Sequence, residues 1–176
     1  MKGLVTVFGG SGFLGSQIVR AIARQGARVR VAVRNPGRGY RLPMLGDVGQ
    51  IEVVQANIRD QASVARALDG AEGCVNAVAV LYESGRQTFD ALHVEGAEMV
   101  AAEAKAQGVS RFVQISALGA DADSASDYAA TKAAGEAMTL QHLPQAVVLR
   151  PSVIFGPEIP SSTVLRRWPL CHPSSR

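Results

Sequence analysis

The sequence predicts an α/β protein built on a doubly wound, mainly parallel sheet of about six strands with helices on both faces. Three observations carry this reading. Short β-branched runs alternate with amphipathic stretches along most of the chain, the pattern of βαβ crossovers and a sheet covered on both sides. A glycine-rich turn stands between the first such run and the first amphipathic stretch, and no internal repeat is visible.

The first apolar run is Leu4–Phe8, followed by the turn Gly9-Gly10-Ser11-Gly12 and a helix with Leu14, Ile18 and Ile22 on one face. Further strands are expected at Val29–Val33, Ile51–Gln55, Gly73–Val78, Arg111–Ile115 and Ala146–Leu149. Val64, Ala67 and Leu68 mark a helix after the third strand. Residues 85–107 are too long for a loop and too polar on one face for a strand. They read as one long helix joining strands four and five, with Leu92, Gly96, Met99, Val100 and Ala104 on its apolar side. The region of Met138 and Leu140 reads as core-facing helix, Cys74 as a buried thiol in an apolar strand, and His142 as a cation favouring a helix end.

Composition narrows the function classes. The chain has 176 residues, 47% of them hydrophobic and 19% charged, which suits one globular domain and excludes a disordered tail. Eighteen basic residues over fifteen acidic ones give +3, too little to imply nucleic acid as a partner. Apolar runs fall far short of the roughly 18 residues a membrane helix needs, so no direct membrane insertion is expected. The strand pattern begins within three residues of Met1, which leaves no room for a signal peptide. Cys74 and Cys171 form no disulfide framework and no Cys/His set for a metal, so the expected setting is cytoplasmic.

The turn Gly9-Gly10-Ser11-Gly12-Phe13-Leu14-Gly15 satisfies both GxxGxxG and GxGxxG. Glycine lets the backbone turn tightly and approach a pyrophosphate, whose charge then sits at the positive end of the following helix. The strand before it and the helix after it give the motif its meaning, and the fold expected is therefore of the Rossmann type. The end of the second strand reads Val33-Arg34-Asn35-Pro36, with Arg38 and Arg41 close behind. NAD-selective sites commonly place a carboxylate there, whereas a guanidinium pairs with a 2′-phosphate. The cofactor expected is NADP(H) in preference to NAD(H). Asn57, past the third strand, is positioned to hydrogen-bond adenine, and Ile58, Ala77 and Pro151 are further expected cofactor-binding residues.

Over residues 3 to about 157 the chain resembles the extended and atypical short-chain dehydrogenase/reductase superfamily. The resemblance rests on the glycine turn, on Asn57-Ile58-Arg59-Asp60, on Tyr128 and Lys132, and on Leu149-Arg150-Pro151 through Gly156-Pro157. The stretch Leu81–Phe89, continuing to Val94-Glu95-Gly96, is similar to bacterial homologues of the nucleotide-binding accessory subunit of respiratory complex I. This resemblance implies NADP(H) held mainly for structure, complex I subunits as partners and a peripheral position at the inner membrane. It also implies a catalytic set in which Ser116 polarises substrate, Tyr128 is acid/base and Lys132 orients ribose. Tyr128 and Lys132 lie four apart on an expected helix, so they share a face, and a nearby ammonium lowers a phenol's pKa. Ala117 and His93 depart from the family, which often has a hydroxyl and an asparagine there. A working oxidoreductase or nucleotide-sugar epimerase is therefore the alternative, and a sensor of the NADPH/NADP ratio a third reading.

Residues 158–176 hold three arginines, four serines and no helical or strand period. Two domains of character are expected: a dinucleotide-binding domain over 1–157 and an irregular tail over 158–176. The family usually continues with an acidic residue and a Phe-Phe-Asn-x-Phe run. A one-nucleotide shift in a permitted codon choice for residues 159–168 encodes such a run. The tail is thus expected to be a frameshift product, with the substrate-binding C-terminal region missing. Exposed apolar area along the sixth strand, lower stability and a tendency to associate are expected to follow.

Overall fold

In the computed structural model, residues 3–155 are described; the expected tail at 158–176 lies outside them. Six parallel strands form one sheet: β1 (Leu4–Phe8), β2 (Arg28–Val33), β3 (Ile51–Gln55), β4 (Gly73–Asn76), β5 (Arg111–Ile115) and β6 (Val147–Leu149). Their order is β3-β2-β1-β4-β5-β6. The chain therefore winds outward from β1 in one direction, then returns and winds outward in the other. The switch point lies between β1 and β4, where open α/β sheets place a ligand crevice beyond the strand carboxyl ends.

Strand alternation divides the interior into two cores. Val5 and Val7 of β1 join Val19, Val29, Val31 and Ile115 on the face covered by α1 (Phe13–Arg24). Phe8 points the other way, with Leu68, Val100 and Phe112. That second face carries α2 (Gln61–Leu68), α3 (Glu95–Ala106) and α4 (Asp127–His142). Central strands buried on both sides read as continuous apolar runs, and β4 is buried at all four residues. The α1 face is covered less completely towards β6. A groove of about 310 Å³ opens there between Ile18, Ile22, Val75, Val113, Ile115 and Leu149, and Val147 and Leu149 are each about half exposed (52% and 49%).

The elements match the sequence closely, with four instructive differences. β4 stops at Asn76, two residues early, because the Asn76 side chain accepts from the Val78 amide at 3.2 Å and turns the chain. β6 begins at Val147 because the Ala146 amide is held by Leu143 in the preceding turn, at 2.9 Å. The expected helix over 85–107 starts only at Asp90, first as a π-helical turn (Asp90–Val94) and then as α3. Residues 84–87 instead close a tight loop: Ser84 and Gln87 exchange backbone hydrogen bonds of 3.1 and 3.0 Å. Finally, Leu140 is exposed rather than core-facing. The buried stripe of α4 is Lys132, Gly135, Glu136 and Thr139, and Leu140 sits one position, or about 100°, beyond it.

Gly135 fixes how closely α4 approaches the π-helical turn. A Cβ there would stand 1.9 Å from the His93 carbonyl oxygen, so only glycine admits this crossing. The contact holds α4 tightly against the π-helical turn.

Candidate functional site

The glycine turn is built by backbone crowding. Gly9 has φ +75°, a left-handed conformation, and a Cβ would meet the Ala77 carbonyl oxygen at 2.8 Å. A Cβ on Gly10 would stand 2.4 Å from Val31 Cγ1, and one on Gly15 would stand 2.2 Å from the Gly9 carbonyl oxygen. These three positions let α1 press onto the end of β1. Gly12 differs: its φ is −76°, and a Cβ would meet only the Gly9 carbonyl oxygen, at 3.3 Å. Gly12 is also the N-cap of α1, exposed, and supplies no side-chain cap. Ser11 beside it is exposed as well.

The opening of α1 thus presents amides without a capping side chain, at the positive end of the helix dipole and at the switch point. Phe13 is half-buried, and Leu14 packs against the α1-face core. This arrangement fits a diphosphate group.

One side of the crevice is formed by the ends of β2 and β3. Arg34, one residue beyond β2, is exposed and donates through Nη1 to Gln87 Oε1. Asn57 accepts on Oδ1 from the Arg59 amide at 3.2 Å, and its own amide donates to Ser63 Oγ at 2.8 Å. Its first described duty is therefore to shape the turn into α2, which Asp60 caps through the Ala62 amide. The Ile58 side chain is buried in the core, where it would be met by any Cβ on Gly96, at 2.5 Å. Ala77 donates its amide to the Phe8 carbonyl at 3.0 Å and so joins the β1 and β4 ends.

At the other side, Ser116 follows β5, and its amide donates to the Leu149 carbonyl at 2.7 Å. Its hydroxyl is buried and has no hydrogen-bond partner among the described residues. A buried hydroxyl in that state costs free energy, and such groups commonly mark a ligand position. Lys132 is 3% exposed, and its Nζ donates to the Ile115 carbonyl at 2.8 Å, one residue before Ser116. Burial lowers the Lys132 ammonium to about 8, with Glu136 opposing the shift. Pro151 lies on the segment leaving β6, and its carbonyl accepts from the Leu118 amide at 3.0 Å.

Tyr128 stands edge-on to Phe89 and His93, with ring centroids 5.8 and 5.3 Å away. Burial pushes its phenol above the ordinary 10.0. The expected lowering by Lys132 is not met, because the ammonium's described hydrogen bond goes to the Ile115 carbonyl and desolvation of the phenolate prevails.

His93, to which the sequence alone gives no role, joins the segment after β4 to α4. Its Nε2 accepts from the Val80 amide at 3.2 Å, and Nδ1 lies 3.2 Å from Thr131 Oγ1, whose hydroxyl donates to the Asp127 carbonyl at 2.7 Å. These partners assign the neutral Nδ1–H tautomer. Burial, reinforced by the Lys132 charge, holds the imidazole down to about 4. Cys74 is buried and its thiol pushed well up by desolvation, so it is inert. Among the described residues there is no cluster of side chains fit to hold a metal ion, and no helix is long and apolar enough to cross a membrane.

Strand order, switch point, uncapped helix and glycine crowding together define a nucleotide-binding α/β domain of the Rossmann type. The comparisons narrow the class: residues 9–153 match the family described as NAD(P)H-binding, and the chain belongs to that family. It is similar to the mitochondrial NADH dehydrogenase [ubiquinone] 1 alpha subcomplex subunit 9 of Dictyostelium discoideum, 38% identical over 173 residues. That match covers 95% of this chain and 48% of the relative. A ceramide reductase of Caulobacter vibrioides is 35% identical over 156 residues, covering 89% of this chain and 48% of the enzyme. The chain spans about half the length of these curated relatives. Among solved structures, the Bordetella bronchiseptica enzyme WbmG in complex with NAD and UDP gives a TM-score of 0.71 at 22% identity, over 85% of this chain and 53% of that one. Vestitone reductase from alfalfa gives 0.68 at 23% identity, over 85% and 56%. Both share the fold.

Proposed function

We propose that this chain binds NADP(H) in preference to NAD(H) and holds it mainly as part of its structure, in an accessory role like that of the complex I subunit it resembles. The observation that carries the reading is the opening of α1: an exposed glycine N-cap with no capping side chain, beside a turn in which Gly9, Gly10 and Gly15 leave no room for a Cβ. Gly9, Gly10, Ser11, Gly12, Phe13, Leu14 and Gly15 would supply the turn and its amides to the diphosphate. Arg34 would face the 2′-phosphate. Asn57 and Ile58 would border the adenine, and Ala77, Lys132 and Pro151 the nicotinamide half. Respiratory complex I subunits are the proposed partner, with the protein on the cytoplasmic side and peripheral at the inner membrane. The relatives named for that complex support the association with it.

A second reading rests on a different observation, the unpartnered buried hydroxyl of Ser116 beside the Lys132 contact. In it the chain is the dinucleotide-binding half of an oxidoreductase or epimerase. A bound nicotinamide would give or take hydride there. Ser116 would donate to a substrate oxygen, Tyr128 would keep a proton at its phenol oxygen for transfer, and Lys132 would hold the ribose side of the site. The raised phenol favours Tyr128 as the acid rather than the base.

Calorimetric titration with NADPH and NADH tests the cofactor. The wild type is expected to bind NADPH more tightly, by about tenfold or 1.4 kcal/mol, and Arg34→Asp to reverse the order by placing a carboxylate where a phosphate would sit. Tighter binding of NADH by the wild type would overturn the choice.

A further inference from the structure

The sheet order places β1 between β2 and β4. Any contact between the loop after β4 and the residues ending β2 or β3 must therefore pass over the carboxyl end of β1, where the glycine turn begins. Two such contacts are present, made by neighbouring residues. Arg34 Nη1 donates to the Gln87 side-chain oxygen, and Arg59 Nη1 donates to the Arg86 carbonyl.

The segment that reaches across is preformed. Ser84 and Gln87 are bridged through their backbones, Gly85 turns between them at φ +55°, and the Glu83 carboxylate accepts from the Phe89 amide at 2.7 Å. The strap is thus closed on itself and anchored where the π-helical turn begins. Gln87 is delivered to Arg34 by a loop whose own hydrogen bonds fix its direction.

The chemistry of the pair is specific. Arg34 is exposed, and no carboxylate pairs with it among the described residues. A guanidinium carries five N–H donors, and the bond to Gln87 engages only Nη1. Nε and Nη2 remain for a bidentate anion. Glutamine is neutral, so it directs the guanidinium without cancelling its charge.

We infer that Gln87 is a specificity-determining residue, which orients Arg34 towards a phosphate on the adenosine ribose and so sets the preference between phosphorylated and unphosphorylated dinucleotides. The inference rests on the Arg34 reading above and extends it to a residue 53 positions away in the chain. A preoriented guanidinium loses less conformational freedom on binding, so the advantage falls only on the ligand that touches it.

The test is a double-mutant cycle on the full chain, read as calorimetric Kd values for NADPH and NADH. Gln87→Glu supplies a carboxylate to Arg34 and is expected to weaken NADPH at least about tenfold while NADH changes less than about twofold. Gln87→Ala, which frees the guanidinium without neutralising it, is expected to weaken NADPH about threefold. In an Arg34→Ala background both effects are expected to vanish. Equal changes for the two dinucleotides, or effects that persist without Arg34, would overturn the role of Gln87. An Arg34→Ala variant that loses NADPH preference while both Gln87 variants behave as wild type overturns only this inference. If Arg34→Ala leaves the NADPH/NADH ratio unchanged, the Arg34 reading falls and this inference with it.

Discussion

Gly12→Asp is expected to make the unliganded protein slightly more stable while weakening NADPH binding by at least about 100-fold, or about 2.7 kcal/mol. The two effects have one cause. Gly12 caps α1 without a side chain and has a φ of −76° that any residue tolerates. Aspartate is a better cap than glycine by a few tenths of a kcal/mol, because its carboxylate accepts from the first-turn amides. Those are the amides a diphosphate would use, and the added negative charge repels what remains. The neighbouring glycines behave differently. At Gly15 a Cβ would lie 2.2 Å from the Gly9 carbonyl oxygen and 2.7 Å from the Gly10 Cα, so Gly15→Val is expected to lose stability and binding together, with overpacking alone costing about 1–3 kcal/mol. Thermal melting paired with calorimetry separates the cases. A Gly12→Asp protein that still binds NADPH at wild-type strength would mean that the ligand does not sit on the helix opening.

The second large effect is acid destabilisation through His93. The folded state holds this imidazole at about 4, against an ordinary 6.5. Between those values the unfolded chain binds a proton that the folded chain refuses, so stability is complete above pH 6.5 and is lost as pH falls towards 4. The loss amounts to about 2 kcal/mol by pH 5 and about 3 kcal/mol by pH 4. Protonation would put a donor on Nε2 facing the Val80 amide and a second cation near Lys132. In His93→Gln, which does not titrate, that share of the acid slope is expected to disappear. Urea unfolding at pH 7, 5.5 and 4.5 measures it; identical slopes in the two proteins would contradict the assignment.

Local demands were legible in the chain, and distant ones were not. The glycine turn is legible because its spacing is local and strand and helix periods bracket it, although only the crowding at Gly15 comes from within the turn; Gly9 is hemmed in by Ala77 and Gly10 by Val31. β1, β3 and β5 were read to the residue because their apolar runs are short and bounded. The helix before β5 starts later than its pattern predicts because the 84–87 loop is closed by backbone bonds and by Glu83, which leave no periodic trace. Leu140 faces solvent against the expectation because α4 buries a polar stripe, so hydrophobicity points the wrong way along it. Glu136 in that stripe is 7% exposed and is satisfied by Arg150 at 2.6 and 2.9 Å, a pairing 14 residues apart that no pattern announces. His93 and Gln87 belong to the same class: each acts through a partner that only the folded topology supplies. The one cue the sequence offers is at His93, which stands where the family it resembles often has asparagine.

The most direct test of the whole account is a crystal structure of this chain grown with NADPH. The diphosphate oxygens are expected within hydrogen-bond distance of the Phe13 and Leu14 amides, with the 2′-phosphate against Arg34. A fully occupied dinucleotide elsewhere on the protein, or a helix opening that stays empty at saturating NADPH, would contradict it.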